Sequence, residues 1–171
     1  MKRVFVSTIA VMLTIYPALS QNSPGISPAT FKNLVGCWQG TLNYSGTIVR
    51  KPYTTSAALV VKQIGESNKY VLLNIYTNDP NDNSSDTIAV SNDGKKINGA
   101  TVKSTQQADD GSLMIIMEVA GFDHNNNKTA ILRHSYTVGK NSYTYKKDIQ
   151  LQGQTDWLER EVFKYFRTDC K

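Results

Sequence analysis

The sequence predicts an all-β domain, an antiparallel up-and-down meander of eight to ten strands closed into a barrel. Three observations carry this. After residue 34 nearly every segment is a short run rich in β-branched residues and Tyr, with no helical periodicity sustained over ten positions. The connections are hairpin-short and made of Gly, Asn and Asp, residues that tolerate the positive φ of tight turns. A meander of this many strands hides its edges by closing on itself, the rival architecture being a two-sheet sandwich. With 171 residues, 40% apolar and 19% charged, there is material for one such domain rather than two.

In chain order, residues 1–20 start with the basic Met1-Lys2-Arg3, continue uncharged from Val4 to Leu19 and end with the small residues Ala18 and Ser20 before Gln21. This is the pattern of a secretory signal peptide. Thr8, Thr14, Tyr16 and Pro17 dilute the run below a good membrane-spanning helix. No later run is apolar enough to span, so no integral membrane segment is expected after cleavage, and the expected location is secreted or periplasmic. Residues 21–33, beginning QNSPGISPAT, are rich in Pro, Ser and Gly and read as a flexible N-terminal lead. The domain itself occupies 34–171.

Strands are predicted at 35–45, 56–64, 69–77, 86–91, 95–105, 112–121, 129–138, 142–150 and 158–168. The turns between them include Gly65 to Asn68, Asn92-Asp93-Gly94, Asp109-Asp110-Gly111, Asp123 to Lys128 and Gly139-Lys140-Asn141. Nine strands cannot close an antiparallel barrel, and Gly99 is the place where 95–105 could split. In 35–45, Gly36, Trp38, Gly40, Leu42 and Tyr44 share the apolar, inward face, with Cys37 on the other. By the same alternation Ala130, Leu132, His134, Tyr136 and Val138 face one way, and Tyr143, Tyr145, Lys147 and Ile149 share a face, so the tyrosines collect inside. Segment 112–121 is apolar on both faces apart from Glu118, which suggests that the lead or a partner covers its outer side.

Charge and cysteines bound the function class. The net charge is +5, two units of which come from Lys2 and Arg3, and the remaining basic residues are scattered singly or in pairs such as Lys95-Lys96 and Lys146-Lys147. A nucleic-acid binder concentrates such charge on one face, so nucleic acid is not an expected partner. Cys37 and Cys170 lie near the two ends of the domain, and an exported chain meets oxidising conditions in which they can form a disulfide. Two buried thiols or an intermolecular bond are the alternatives. Neither cysteine belongs to a C-x-x-C pair, and no metal site is expected.

The segment Leu34 to Leu42, containing Gly36-Cys37-Trp38, then a strand meander, then Phe163-Lys164-Tyr165-Phe166-Arg167, resembles lipocalin-like proteins of the calycin group. The chain is also similar to small uncharacterised exported proteins of Bacteroidetes-type bacteria. The lipocalin resemblance spans about residues 31–171 and implies an up-and-down barrel with a G-x-W first strand. In that group the Trp sits inside one end and an Arg of the last strand packs across its ring. Gly36 and Trp38 match the motif; Arg167 is the counterpart of that Arg, with Arg160 second. If Trp38 and Arg167 point inward, Cys37 and Cys170 point outward. Paired first and last strands would then bring the cysteines together outside the seam while Trp38 and Arg167 meet inside it.

Catalytic signatures are sparse. No C-x-x-C-H, G-x-S-x-G, H-E-x-x-H or P-loop is present, and no Ser-His-Asp set is suggested. His124 lies in a polar turn. His134 falls on the inward face, where the ordinary reading is a satisfied core histidine and the special one a ligand contact or a haem-iron ligand, as in some haem-binding barrels of similar fold. Asp79 to Asp86 fails the EF-hand pattern at Ser84 and Val90, and the 123–134 segment fails it at Lys128 and His134. Asn43, Asn83 and Asn127 head sequons that matter only in a glycosylating host.

These readings converge on an exported barrel that binds a small, partly apolar ligand in its interior or mouth and performs no chemistry. Aromatic walls with hydroxyl tips suit such a ligand. His134, Tyr136, Tyr143 and Tyr145 are the candidates for lining the site, and no cofactor is assigned. The alternative is an extracytoplasmic protein-interaction or inhibitor module with a packed, ligand-free core, whose outer face of Met114, Ile116 and Ala120 would meet a protein partner. An interior cavity of roughly several hundred Å³ separates the two readings. An enzyme is not expected, since Lys147, His134 and isolated carboxylates are the only groups offered to one.

Overall fold

The structure is a computed structural model describing residues 24–46 and 51–170; the expected signal peptide lies outside the described residues. Ten strands follow one another: β1 (Gly36–Tyr44), β2 (Tyr53–Gln63), β3 (Lys69–Ile75), β4 (Ser84–Ala89), β5 (Lys96–Ile97), β6 (Ala100–Gln107), β7 (Leu113–Asp123), β8 (Lys128–Val138), β9 (Ser142–Leu151) and β10 (Leu158–Thr168). They form one sheet in the order β4-β3-β2-β1-β10-β9-β8-β7-β6-β5. Every ladder is antiparallel. The meander curls until its last strand pairs with its first, and a Val90–Ile97 bridge joins the two remaining margins into a nearly closed barrel. The predicted strand 95–105 does split, at Asn98-Gly99, which raises nine strands to ten.

Closure is tight at one end of that last junction and absent along the rest. Asn98 caps the margin of β4: its Oδ1 accepts from Ala89 N at 2.7 Å and its Nδ2 donates to Thr87 O at 2.8 Å. Beyond this cap no ladder joins β4 to β6 among the described residues, and a lateral gap remains.

Side chains alternate as the pleat requires. Trp38, Leu59, Val61, Tyr70, Ile115, Tyr143 and Tyr165 fill the interior, and a smaller cluster of Ala130, Ile149 and Leu151 lies apart from them. Trp38 is 1% exposed. The outer face of β7 and β8 carries Glu118, which pairs with Lys103 and with Arg133, and the Arg133 guanidinium stacks 3.6 Å from the Trp157 ring.

The lead departs from expectation. Residues Pro28–Leu34 form a 3-10 helix whose N-cap Ser27 accepts from Ala29 N, and Phe31 and Leu34 are 0% exposed. The Pro, Ser and Gly composition marks a loop, but two large apolar side chains close together bury themselves when a barrel end is available. This segment plugs the barrel end; it does not cover the outer side of β7 as expected. Phe31 packs edge-on against Tyr136 at 5.7 Å, Tyr70 OH donates to Pro28 O, and Trp38 Nε1 donates to Leu34 O at 2.7 Å. Ile26 N donates to Gly94 O. Gly94 sits at φ +69°, and a Cβ there would stand 1.9 Å from Ile26 O.

The β1–β10 seam holds the pairings foreseen from alternation. Trp38 lies opposite Arg167, which stays exposed at the barrel end rather than inside as expected, and Cys37 and Cys170 are disulfide-bonded with Cα atoms 5.2 Å apart. The Arg167 guanidinium lies 4.2 Å from the Trp38 ring centroid and donates to the carbonyls of Asn33, Val35 and Lys140. Gly36 leaves room for it: φ is +129°, and a Cβ would meet Arg167 Nη1 at 3.0 Å. At the other end of β10, a bulge between Glu159 and Glu161 turns Arg160 onto the buried Asp123 at 2.8 Å.

Candidate functional site

Between the plugged end and the lateral gap the interior is not filled. A cavity of about 430 Å³ is walled by His134 and Tyr136 from β8, by Tyr143, Tyr145 and Lys147 from β9, and by Glu161, Phe163 and Tyr165 from β10. The opposite wall is Leu72 and Asn74 of β3 with Asp86 and Ile88 of β4. Asn98, Thr87 and Ser84 complete the lining, and Ser84, Asp86 and Thr87 are exposed, so the cavity reaches solvent along the gap.

Strand alternation explains the lining. Neighbouring antiparallel strands put same-face residues side by side, so Tyr136 faces Tyr145 and Tyr145 faces Phe163 across the ladders. The rings form a continuous wall, with Tyr136 to Tyr145 at 5.3 Å, Tyr145 to Phe163 at 6.0 Å, Phe163 to Tyr165 at 5.9 Å and Tyr165 to Tyr143 at 6.1 Å.

The polar groups divide into satisfied and unsatisfied. His134 Nδ1 and Tyr145 OH are 2.8 Å apart, the ordinary arrangement of a core histidine. Tyr165 OH donates to Asn74 Oδ1 at 3.3 Å, and Asn74 Nδ2 donates to Asp86 Oδ2 at 3.1 Å. In contrast, the hydroxyls of Tyr136 and Tyr143, the Lys147 ammonium and the Glu161 carboxyl have no hydrogen-bond partner among the described residues, although Lys147 and Glu161 attract one another across the β9–β10 ladder. Lys146, one position away, points outward and pairs with Asp148 and Glu159.

Burial governs the protonation of this set. It holds the His134 imidazole below its usual range, and the Lys147 charge adds to this, so the ring is neutral at pH 7. Burial pushes the Glu161 carboxyl up, with Lys147 opposing and Asp86 reinforcing. The Tyr136 hydroxyl is pushed up to about 12, by burial and then by the Asp86 charge. Those of Tyr143, Tyr145 and Tyr165 are raised further by burial. The tyrosine hydroxyls are therefore protonated throughout the physiological range.

The structure places all four expected lining residues, His134, Tyr136, Tyr143 and Tyr145, on this one cavity. Sequence reasoning missed Glu161, Phe163 and Tyr165, although they share the parity of Arg167 on the last strand and so were signalled. It also missed Asp86, which no pattern in the polar stretch Ser84–Thr87 marks as inward. Groups of three or more His, Cys, Asp or Glu residues that could hold a metal are absent among the described residues, and no helix described is long and apolar enough to cross a membrane.

No protein-family profile matches the chain, and no curated protein matches it. Among solved structures, the crystal structure of Rv2717c from M. tuberculosis is similar, with a TM-score of 0.54 and 13% identity over 81% of this chain and 97% of that one. That likeness is one of fold.

Proposed function

We propose that the protein is an exported, lipocalin-like barrel that binds a small, partly apolar ligand in its interior and performs no chemistry on it. The observation that carries the reading is the cavity of about 430 Å³, a size ordinary for small-molecule sites, walled by aromatic rings and bordered by four polar groups that hold no hydrogen bond to the described residues. A packed core would leave no such space, which weighs against the interaction-module alternative. The disulfide and the basic, uncharged-core N-terminal segment support a secreted or periplasmic location. The G-x-W strand and the Trp38–Arg167 stack are what support the lipocalin-like assignment.

The test is native mass spectrometry of the mature protein isolated from its own host's extracytoplasmic fraction, compared with the denatured mass. A reproducible excess mass lost on denaturation is the expected result and gives the size of the ligand. A bare chain that also fails to bind any of a panel of small amphipathic probes would turn the assignment toward the interaction module.

A further inference from the structure

We propose that the cavity selects a small organic cation, an ammonium group carried on an apolar body, and that Asp86 and Glu161 are the residues that select it. The inference rests on the ligand-binding reading above and deepens it.

Three observations support it. First, the charges that border the cavity do not cancel. Two carboxylates, Asp86 and Glu161, border it against one ammonium, Lys147, the register partner of Glu161 across β9 and β10, so the surplus charge is negative. The neutral His134 adds nothing to the positive side. Second, Asp86 is placed where an incoming cation passes. It is exposed on the gap between β4 and β6, held by Asn74 Nδ2 at 3.1 Å, and its charge acts on Tyr136, Tyr143 and Tyr145 on the opposite wall. Third, the wall facing it is made of π surfaces, with Tyr145 at the centre between Tyr136 and Phe163. Aromatic faces attract a desolvated ammonium and offer nothing comparable to an anion. An anionic ligand would have Lys147 and the hydroxyls of Tyr136 and Tyr143 in its favour, but it would have to pass Asp86 and displace the attraction between Lys147 and Glu161.

The proposal is tested by isothermal titration of the disulfide-intact mature chain with benzyltrimethylammonium, benzoate and the neutral dye Nile red, the dye followed by fluorescence. The expected result is saturable binding of the cation with NMR shifts at Tyr136 and Tyr145, at least tenfold tighter than benzoate. Asp86→Asn and Glu161→Gln should each weaken it by about tenfold or more. Asp86 is at the exposed rim, so its variant should remain folded, and the wild-type comparison between probes stands without either variant. Benzoate binding as tightly as the cation, or cation binding that neither variant changes, would overturn the proposal. Nile red binding without cation binding would overturn the charge preference but leave the ligand-binding reading in place. Failure of all three probes would count against both.

Discussion

Arg167 stands directly across the β1–β10 ladder from Trp38, with its guanidinium carbon 4.2 Å from the centre of the indole ring. The same guanidinium donates to three backbone carbonyls, so a single side chain ties the N-terminal plug, the first strand and the β8–β9 turn together. Substituting Trp38→Ala should cost about 3–5 kcal/mol in urea unfolding, because it opens a large cavity at a nearly solvent-free position. Arg167→Ala should cost about 1–2 kcal/mol, from the cation–π contact and the lost carbonyl bonds. A Trp38 substitution costing under about 1 kcal/mol would show that the indole is not the keystone of this end.

The plug can be tested separately. Phe31→Ala should destabilise by about 3 kcal/mol or more and increase the hydrogen exchange of residues 26–34. Exchange unchanged from wild type would mean that the segment is already loose in solution.

The disulfide spans almost the whole domain, joining cysteines separated by 133 in sequence. On the chain-entropy model its reduction should lower stability by up to about 5 kcal/mol. Digestion of oxidised protein should yield a Cys37–Cys170 linked peptide, and two free thiols in exported protein would contradict the seam.

The buried ion pair at the far end of β10 sets an acid limit. Burial raises the pKa of Asp123, yet hydrogen bonds from Arg160 and Asn126 outweigh it and hold the carboxyl below its ordinary value. A depressed folded-state pKa contributes stability that is present above the unfolded value and lost as pH falls through the folded one. Stability should therefore fall below about pH 4. Asp123→Asn should cost about 3–5 kcal/mol at pH 7, because it leaves a guanidinium buried whose Nε already lacks a partner. Equal stability of wild type and variant at pH 7 would remove this pair from the account.

His134 gives a second, milder pH dependence. Its folded pKa lies below the ordinary 6.5, so between those values the unfolded chain binds more protons and folding weakens as pH falls. An NMR titration should find its midpoint below the ordinary 6.5. A midpoint at or above that value would place the imidazole in water.

Much of this architecture could be read from residues because strand alternation is a two-step code. Once Trp38 was set inward, parity fixed Cys37 outward, and the mirrored parity at Arg167 did the same for Cys170. The same counting put His134, Tyr136, Tyr143 and Tyr145 on one wall. What escaped was of two kinds. Glu161, Phe163 and Tyr165 obeyed the rule but were not counted, whereas Asp86 sits in a strand too polar to show a buried face. The plug escaped because Phe31 and Leu34 gain their burial from a distant barrel end, and local composition cannot report that.

The bond between Cys37 and Cys170 also changes what the chain is in covalent terms. With its first and last strands joined, the domain is a closed loop rather than a line, and a single cut in any hairpin turn leaves both pieces attached. A protease that nicked the Asp109–Gly111 turn would release no fragment until the disulfide was reduced, so damage of that kind is held in place for as long as the surroundings stay oxidising.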